Sequence, residues 1–288
     1  MGTSSPALVM MRLLAALVVV FLLPALPARA QRPVVFEAPT GYAKRFLAND
    51  SLPLQSVNHG NFRLYFREDS YAARHLEYLT RELDDAYARI LQVLQAPTYE
   101  RGIHLLAVDS EEDMQQLLGL HIKGGEAVGD HLVFFVVNER IRPQFRHEIF
   151  HLIAYQLWGL YSNRVLDEGG ATFTDNTCFY DNAIYAINRK LLEEKKLYRT
   201  ADLVEDFGAQ AKKSDVIAYL QAAGMVKYLY DRYGVKRFRR LWEEGFGQFE
   251  AIYGQKLGAF DKEWRRYLQT LPPAPEVDLG KLMKEGCG

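Results

Sequence analysis

The sequence predicts an α+β protein in which a small sheet-and-helix lobe precedes a mainly helical lobe. Short strand patterns alternate with helical patterns between residues 61 and 137. From there to residue 271, apolar residues recur at spacings of three and four, which is typical of amphipathic helices. A His-Glu-x-x-His motif, His147 to His151, follows the last strand pattern. The motif therefore lies where the two predicted lobes meet.

The first thirty residues have the pattern of a secretory signal peptide and stand outside the predicted fold. An almost wholly apolar run over 13–26 follows Arg12 and precedes a small-x-small cleavage pattern at 28–30. This run is short for a transmembrane helix, and two prolines interrupt its end. We expect cleavage after Ala30 and a periplasmic or extracellular protein without stable membrane association. An uncleaved membrane anchor is the alternative.

The charge and cysteine content exclude some classes of function. The chain has 35 Lys and Arg against 36 Asp and Glu, and its basic residues are not clustered, so we expect no nucleic-acid partner. Its two cysteines are too few for a disulfide-dense scaffold. In an oxidising compartment they can pair with each other, and we predict a Cys178–Cys287 disulfide.

The lobe before the motif is predicted over 61–158, with helices on one face of a small sheet. The residues before it, 31–60, are rich in Pro, Gly and Asn, which predicts an irregular lead-in. Alternating apolar residues predict strands, and apolar spacings of three and four predict helices. The predicted order is a strand at 61–66, a helix at 70–95, a strand at 103–108, a short helix at 110–118, a loop at 119–129, a strand at 131–137 and the motif helix.

The lobe after the motif, 159–271, is predicted to be helical. Its first helix carries Glu168, and a helix over 214–233 is expected to end at Gly234, a residue favoured at helix C-termini. The remaining predicted helices lie at 182–196, 235–244 and 260–271. A Pro-rich and then charged tail follows over 272–288.

The His-Glu-x-x-His motif has the helical context that a metal site needs. On a helix, His147 and His151 are one turn apart on one face, so both imidazoles can bind the same metal ion. Glu148 lies on the neighbouring side of that turn and can take a proton from water that the metal activates. Such a motif arises by chance in roughly one chain in a hundred of this length, so a third ligand is the decisive feature.

Glu168 is the candidate third ligand. It lies in the segment Leu166-Asp167-Glu168-Gly169-x-Ala171, after enough residues to end one helix, turn and begin another. A His-His-Glu site with one open position is the pattern of catalytic zinc. The alternative is a solvated carboxylate near a helix start, favoured by the helix dipole. The further histidine spacing of the metzincins is absent.

These two motifs resemble those of secreted bacterial gluzincins of the peptidase MA-like group. A third and weaker pattern, Tyr219-x-x-Ala222-x-x-Met225-Val226 with Tyr233-Gly234 at its end, adds to the resemblance. The resemblance implies a two-lobed zincin-like fold with one zinc ion per chain in the cleft between the lobes. It also implies a zinc metallopeptidase that hydrolyses a peptide or protein substrate.

Particular roles follow from this resemblance. It implies that His147, His151 and Glu168 bind zinc and that Glu148 is the general base. In zincins, the strand just before the motif, here 131–137, borders the cleft and pairs with an extended peptide.

Two further residues are candidates for supporting roles. Tyr219 is the candidate donor to the oxyanion, with core packing as its alternative role. Asp175 is the candidate acceptor of an N–H from a zinc-bound imidazole, and a helix-surface acid is the alternative. A zincin-fold zinc-binding protein without peptidase turnover is the rival function, against which an intact Glu148 argues.

Overall fold

The structure is a computed structural model that describes residues 34–38, 44, 47, 53–119, 124–129, 131–175, 184–274 and 277–285. Contacts between Cα atoms divide the chain into two units, and every described residue belongs to the second, Pro33–Gly288. The predicted signal peptide, 1–30, lies outside the described residues, as do both cysteines of the predicted Cys178–Cys287 pair.

A mixed five-stranded sheet forms the first part of the fold. Its strands are β1 (Leu54–His59), β2 (Phe62–Arg67), β3 (Ile103–Val108), β4 (Gly125–Val128) and β5 (Leu132–Val136). The order across the sheet is β1-β2-β3-β5-β4. Strands β1 and β2 form an antiparallel hairpin, β2, β3 and β5 are parallel, and β4 is antiparallel to β5.

Helices make up most of the remaining described structure, so the predicted α+β class is confirmed. They are α1 (Tyr71–Arg74), α2 (Leu76–Leu94), α3 (Glu111–Leu118), α4 (Phe145–Trp158), α5 (Arg164–Asp175), α6 (Ile184–Glu193), α7 (Thr200–Glu205), α8 (Phe207–Lys213), α9 (Asp215–Tyr233), α10 (Val235–Glu244), α11 (Phe249–Tyr253), α12 (Leu257–Thr270) and α13 (Leu279–Glu285). None of these helices combines the length and the hydropathy that a membrane span requires, within the described part of the chain.

Both faces of the sheet are covered by other parts of the fold. Alternate residues of a strand point to opposite faces, so each strand contributes to both. Leu105 and Val133 belong to a main core that continues through buried residues of α2, α4 and the C-terminal helices. Leu106 and Phe134 lie on the other face, where Met114 of α3 packs against them. Helices were predicted on one face only, and the position of α3 shows that this prediction was wrong.

Three segments for which no helix or strand was predicted contain regular structure. The lead-in over 31–60 ends in β1, and the loop over 119–129 contains β4. The tail over 272–288 contains α13, whose Leu279 and Leu282 are buried. Strand pairing and burial outweigh the local turn signals in these segments, because tertiary context overrides weak local preferences.

The helix ends that matter for the site agree with the sequence. Helix α4 ends at Gly159 (φ +81°) and α9 ends at Gly234 (φ +80°), where a positive φ favours glycine. The helix predicted over 70–95 is instead interrupted at His75, whose φ of −126° leaves the helical region. Helices α7, α8 and α11 were not predicted.

Candidate metal centre

Helix α4 buries one side against the sheet and leaves both motif histidines on another. Phe145 and Ile149 are buried, and the ring of Phe145 contacts that of Phe135 in β5, with 4.8 Å between centroids. The rings of His147 and His151 lie 4.9 Å apart, as expected for side chains separated by one helical turn. The packing of α4 therefore presents the two imidazoles as a pair.

Helix α5 begins directly after a turn that follows α4. The side-chain Oδ1 of Asn163 accepts a hydrogen bond from the backbone N–H of Val165 at 2.9 Å. The Nδ2 of Asn163 donates to the carbonyl oxygen of Val204 at 2.9 Å. The first bond satisfies a free N–H at the helix start, and the second ties that start to α7. Glu168 then lies in the second turn of the helix.

Two glycines allow α5 to approach both of its neighbouring helices closely. A Cβ on Gly169 would lie 2.8 Å from the carbonyl oxygen of Ala222 in α9. A Cβ on Gly170 would lie 2.7 Å from the ring of Phe150 in α4. Any side chain at either position would push the helices apart. The Gly-Gly pair after Glu168 thus places its carboxylate between α4 and α9.

The three predicted ligands meet at one point. The Oε2 of Glu168 lies 3.5 Å from the Nε2 of His147 and 3.7 Å from the Nε2 of His151. Donor atoms arranged tetrahedrally around one zinc ion are about 3.4 Å apart, because each bond is about 2.0–2.1 Å long. The three side chains are largely buried and could hold a metal ion. Searching the described residues yields no other such group of His, Cys, Asp and Glu.

Asp167 orients one of the two imidazoles. Its Oδ1 lies 2.6 Å from the Nδ1 of His151, so Nδ1–H donates and Nε2 is directed at Glu168. Burial lowers the pKa of His151, but the hydrogen bond and charge of Asp167, with the charges of Glu148 and Glu168, raise it to about 9. A metal ion at Nε2 would therefore displace a proton from the metal-free protein.

Asp175 was predicted to accept a hydrogen bond from an imidazole of the site. At His151, the acceptor is Asp167 instead. Asp175 ends α5, and its backbone carbonyl accepts a hydrogen bond from the Nη1 of Arg146 at 3.3 Å. Any contact of its carboxylate with a metal-bound imidazole stays a prediction. The sequence did contain a signal for Asp167, since an acidic residue directly precedes the proposed ligand Glu168.

Glu168 itself has a second partner that the sequence analysis did not identify. The Nη2 of Arg164, one turn earlier on α5, donates to the Oε1 of Glu168 at 2.8 Å. Burial raises the pKa of Glu168, but His147, His151 and Arg164 together lower it to about 2. Glu168 is therefore an ionised carboxylate, the form that binds a divalent cation.

Tyr219, the candidate oxyanion donor, lies beside the candidate ligands. Its ring is tilted against that of His147, with 6.3 Å between centroids, and contacts the ring of Phe207 at 5.2 Å. Burial and the negative charge of Glu168 raise the pKa of the Tyr219 hydroxyl. The hydroxyl group is therefore protonated near neutral pH and can donate a hydrogen bond.

Glu148 is buried against β4, the strand at the end of the sheet order. A Cβ on Gly125 of β4 would lie 2.8 Å from the Cγ of Glu148, so only glycine leaves room for this side chain. The next residue, Glu126, is close enough to interact with the site. Burial and the charge of Glu148 raise the pKa of the Glu126 carboxyl group. Strand β4 therefore lies against the candidate base.

The strand that borders the site differs from the expected one. The strand at 131–137 was predicted to border the cleft, but β5 pairs with β3 on one side and with β4 on the other. Strand β4 has a single strand neighbour within the described residues and lies at the end of the sheet order. The backbone edge next to Glu148 thus belongs to β4, which the sequence analysis treated as loop.

Comparison with known proteins adds no family to this geometry. No protein-family model matches the chain, and no curated protein matches it either.

Proposed function

We propose that this chain is a zinc-dependent metallopeptidase of the gluzincin type with a zincin-like fold. The observation that supports this best is the meeting of His147 Nε2, His151 Nε2 and Glu168 Oε2 at separations suited to one metal ion. A second carboxylate, Glu148, lies buried on the same helix as the two histidines. Three ligands and a separate carboxylate are the parts that hydrolysis assisted by a metal requires.

Zinc is the metal that these ligands favour. Two imidazole nitrogens and one carboxylate oxygen, with one position left open, form the usual ligand set of catalytic zinc. When bound, zinc lowers the pKa of water and polarises a carbonyl group. We propose one zinc ion per chain.

Three residues would perform the proton and charge transfers. A carboxylate oxygen of Glu148 would accept a proton from the attacking water and then deliver it to the leaving amine. The hydroxyl of Tyr219 would donate a hydrogen bond to the carbonyl oxygen as that oxygen gains negative charge. Asp167 would hold His151 with its Nε2 directed at the metal throughout.

A peptide substrate suits the edge of β4. An extended peptide can add to an exposed strand edge through backbone hydrogen bonds, which do not depend on its sequence. Because Gly125 contacts Glu148, a peptide paired with β4 would pass close to the base. We further propose action in the periplasm or outside the cell, on the basis of the apolar segment before Ala30.

The test uses the mature chain, beginning at Gln31, in a library of quenched fluorescent peptides. Metal analysis should find about one zinc per chain, and a chelator should abolish cleavage until zinc is added back. If zinc is bound but no peptide is cleaved, the rival function of a zinc-binding protein without turnover replaces the proposal. If no metal is bound, both fail.

A further inference from the structure

The two oxygens of the Glu168 carboxylate have different partners. Oε2 faces the Nε2 atoms of His147 and His151, at 3.5 and 3.7 Å. Oε1 accepts a hydrogen bond from the Nη2 of Arg164 at 2.8 Å. A carboxylate can bind a metal ion through one oxygen or through both, so a strong donor on one oxygen decides between the two modes.

We propose that Arg164 is a positioning residue that holds Glu168 as a metal ligand through a single oxygen. Its guanidinium donates a hydrogen bond to Oε1. Because both groups are charged, this is among the stronger hydrogen bonds in proteins. Binding through Oε2 alone leaves one coordination position open for water or a substrate carbonyl. This inference rests on the proposed function, because it concerns how the metal site is kept open.

The surroundings of Arg164 distinguish this pair from an ordinary helix-surface pair. Its guanidinium lies over the ring of Phe207, 5.6 Å from the centroid, and Phe207 in turn packs against Tyr219. The carboxylate is nearly buried, since the Glu168 side chain is 9% exposed, whereas the Arg164 side chain is 54% exposed. Water therefore screens the carboxylate less than it screens the carboxylate of a surface pair, while the guanidinium stays in contact with solvent. The guanidinium is held from two sides and can fix the orientation of the carboxylate.

Charge also favours a cation at this position. Asp167 and Glu168 lie beside each other in the site, and Glu148 is buried nearby. A divalent ion together with the Arg164 guanidinium formally cancels three carboxylates. Without Arg164, Oε1 would lose its hydrogen-bond donor and would be free to bind the metal ion as well.

Another arginine provides a matched control. Arg240 and Glu244 form a pair with the same spacing and order on α10, with Nε–Oε1 at 2.6 Å. Both of their side chains are exposed, at 48% and 38%. Removing Arg240 thus deletes the same kind of pair without touching the candidate metal centre.

The experiment compares wild type with Arg164→Gln, Arg164→Lys and Arg240→Gln, each loaded with cobalt(II) in place of zinc. The visible absorption of cobalt(II) weakens when its coordination number rises from four to five, so it reports the binding mode of Glu168 directly. Competition with a chelator measures zinc affinity in parallel. Neither measurement depends on peptide cleavage, and circular dichroism checks that each variant is folded.

We expect Arg164→Gln to weaken the cobalt absorption and to lower zinc affinity roughly 10- to 100-fold, the usual effect of losing a group that orients a ligand. Arg164→Lys should recover part of both, because it keeps the charge but not the planar fork. Arg240→Gln should match wild type. Unchanged absorption and affinity in both folded Arg164 variants would overturn the positioning role.

The same data separate this inference from the proposed function. A wild-type protein that binds cobalt but cleaves no peptide refutes the peptidase, while the absorption of the Arg164 variants still decides the role of Arg164. A wild-type protein that binds neither cobalt nor zinc refutes the metal centre, and the inference about Arg164 with it.

Discussion

Helix α4 and the α5–α9 pair contribute to the same site in different ways. In α4, the spacing of His147 and His151 is enough to put both imidazoles on one face, because the helical period fixes it. In the α5–α9 pair, Glu168 and Tyr219 come together only because Gly169 lets the two backbones approach. The relative position of two side chains on one helix follows from local geometry, whereas that of two side chains on separate helices depends on side-chain volume where the helices touch.

The orientation of the ligands shows the same contrast. Helix α4 supplies two imidazoles, but the bond that orients His151 comes from Asp167 on α5. Helix α5 supplies one candidate ligand, Glu168, and also the Arg164 that contacts it. The motif helix therefore carries most of the recognisable chemistry, while the second helix carries most of the groups that fix its geometry.

The largest expected effect comes from removing the α4 ligands. A His147→Ala, His151→Ala double variant should lose essentially all bound zinc and all peptidase activity, because a single carboxylate cannot hold the ion at ordinary concentrations. Elemental analysis of the purified protein measures the loss. His59→Ala, which removes a histidine that bonds Asp84 on α2, serves as the control and should keep its zinc. Full occupancy in the double variant would contradict the site.

The next effect separates the carboxylates of the two helices. Glu148→Gln should retain zinc and melt at nearly the same temperature, but turnover should fall by roughly two to four orders of magnitude for want of a general base. Glu168→Gln should instead weaken zinc binding, since a neutral amide is a poorer ligand, and added zinc should restore part of its activity. Metal content and kcat, measured on both variants, give the comparison. Full activity in Glu148→Gln would refute the mechanism even with zinc bound.

The third effect tests whether α9 contributes to catalysis or only to packing. Tyr219→Phe keeps the ring beside His147 and removes the hydroxyl. If that hydroxyl stabilises the oxyanion, kcat should fall by roughly 10²- to 10³-fold while KM changes little. Tyr155→Phe, at an exposed position on α4, should leave both constants unchanged. Equal kcat values for Tyr219→Phe and wild type would leave Tyr219 a packing residue.

The contrast between local geometry and contacts between elements also explains which features of the fold and the site could be predicted from the sequence. The α+β class and helices α4 and α9 with their glycine ends could be predicted, because each rests on periodicity. The grouping of His147, His151 and Glu168 could be predicted from the spacing of the histidines and from the resemblance of the segment around Glu168 to that of the gluzincins. Strand β4 could not be predicted, since its four residues lie in a glycine-rich stretch and form a strand only by pairing with β5. Strand β1 likewise depends on its hairpin with β2.

The supporting residues of the site were harder to predict for the same reason. Asp167, Arg164 and Gly125 act through contacts with residues that packing brings to them. Asp175 was predicted from helix periodicity alone, which says nothing about how far α5 is rotated relative to α4. The close contacts at Gly169 and Gly170 limit that rotation.

The smallest expected effect tests this packing argument directly. In Gly169→Ala, the new methyl group would lie 2.8 Å from the carbonyl oxygen of Ala222 and 2.8 Å from the Cγ2 of Val226. The free energy of unfolding should therefore fall by about 1–3 kcal/mol, the usual cost of overpacking. Helix propensity acts in the opposite direction, because alanine favours a helix over glycine by up to about 1 kcal/mol.

Gly258→Ala isolates the propensity effect, because a Cβ on this helical glycine of α12 would meet no atom within 4 Å. It should leave the free energy of unfolding unchanged or raise it by up to about 1 kcal/mol. Chemical denaturation of both zinc-free variants measures the two free energies on one scale. A Gly169→Ala variant as stable as Gly258→Ala would show that α5 and α9 have room to separate. The position of Glu168 would then need a cause other than the contact between these helices.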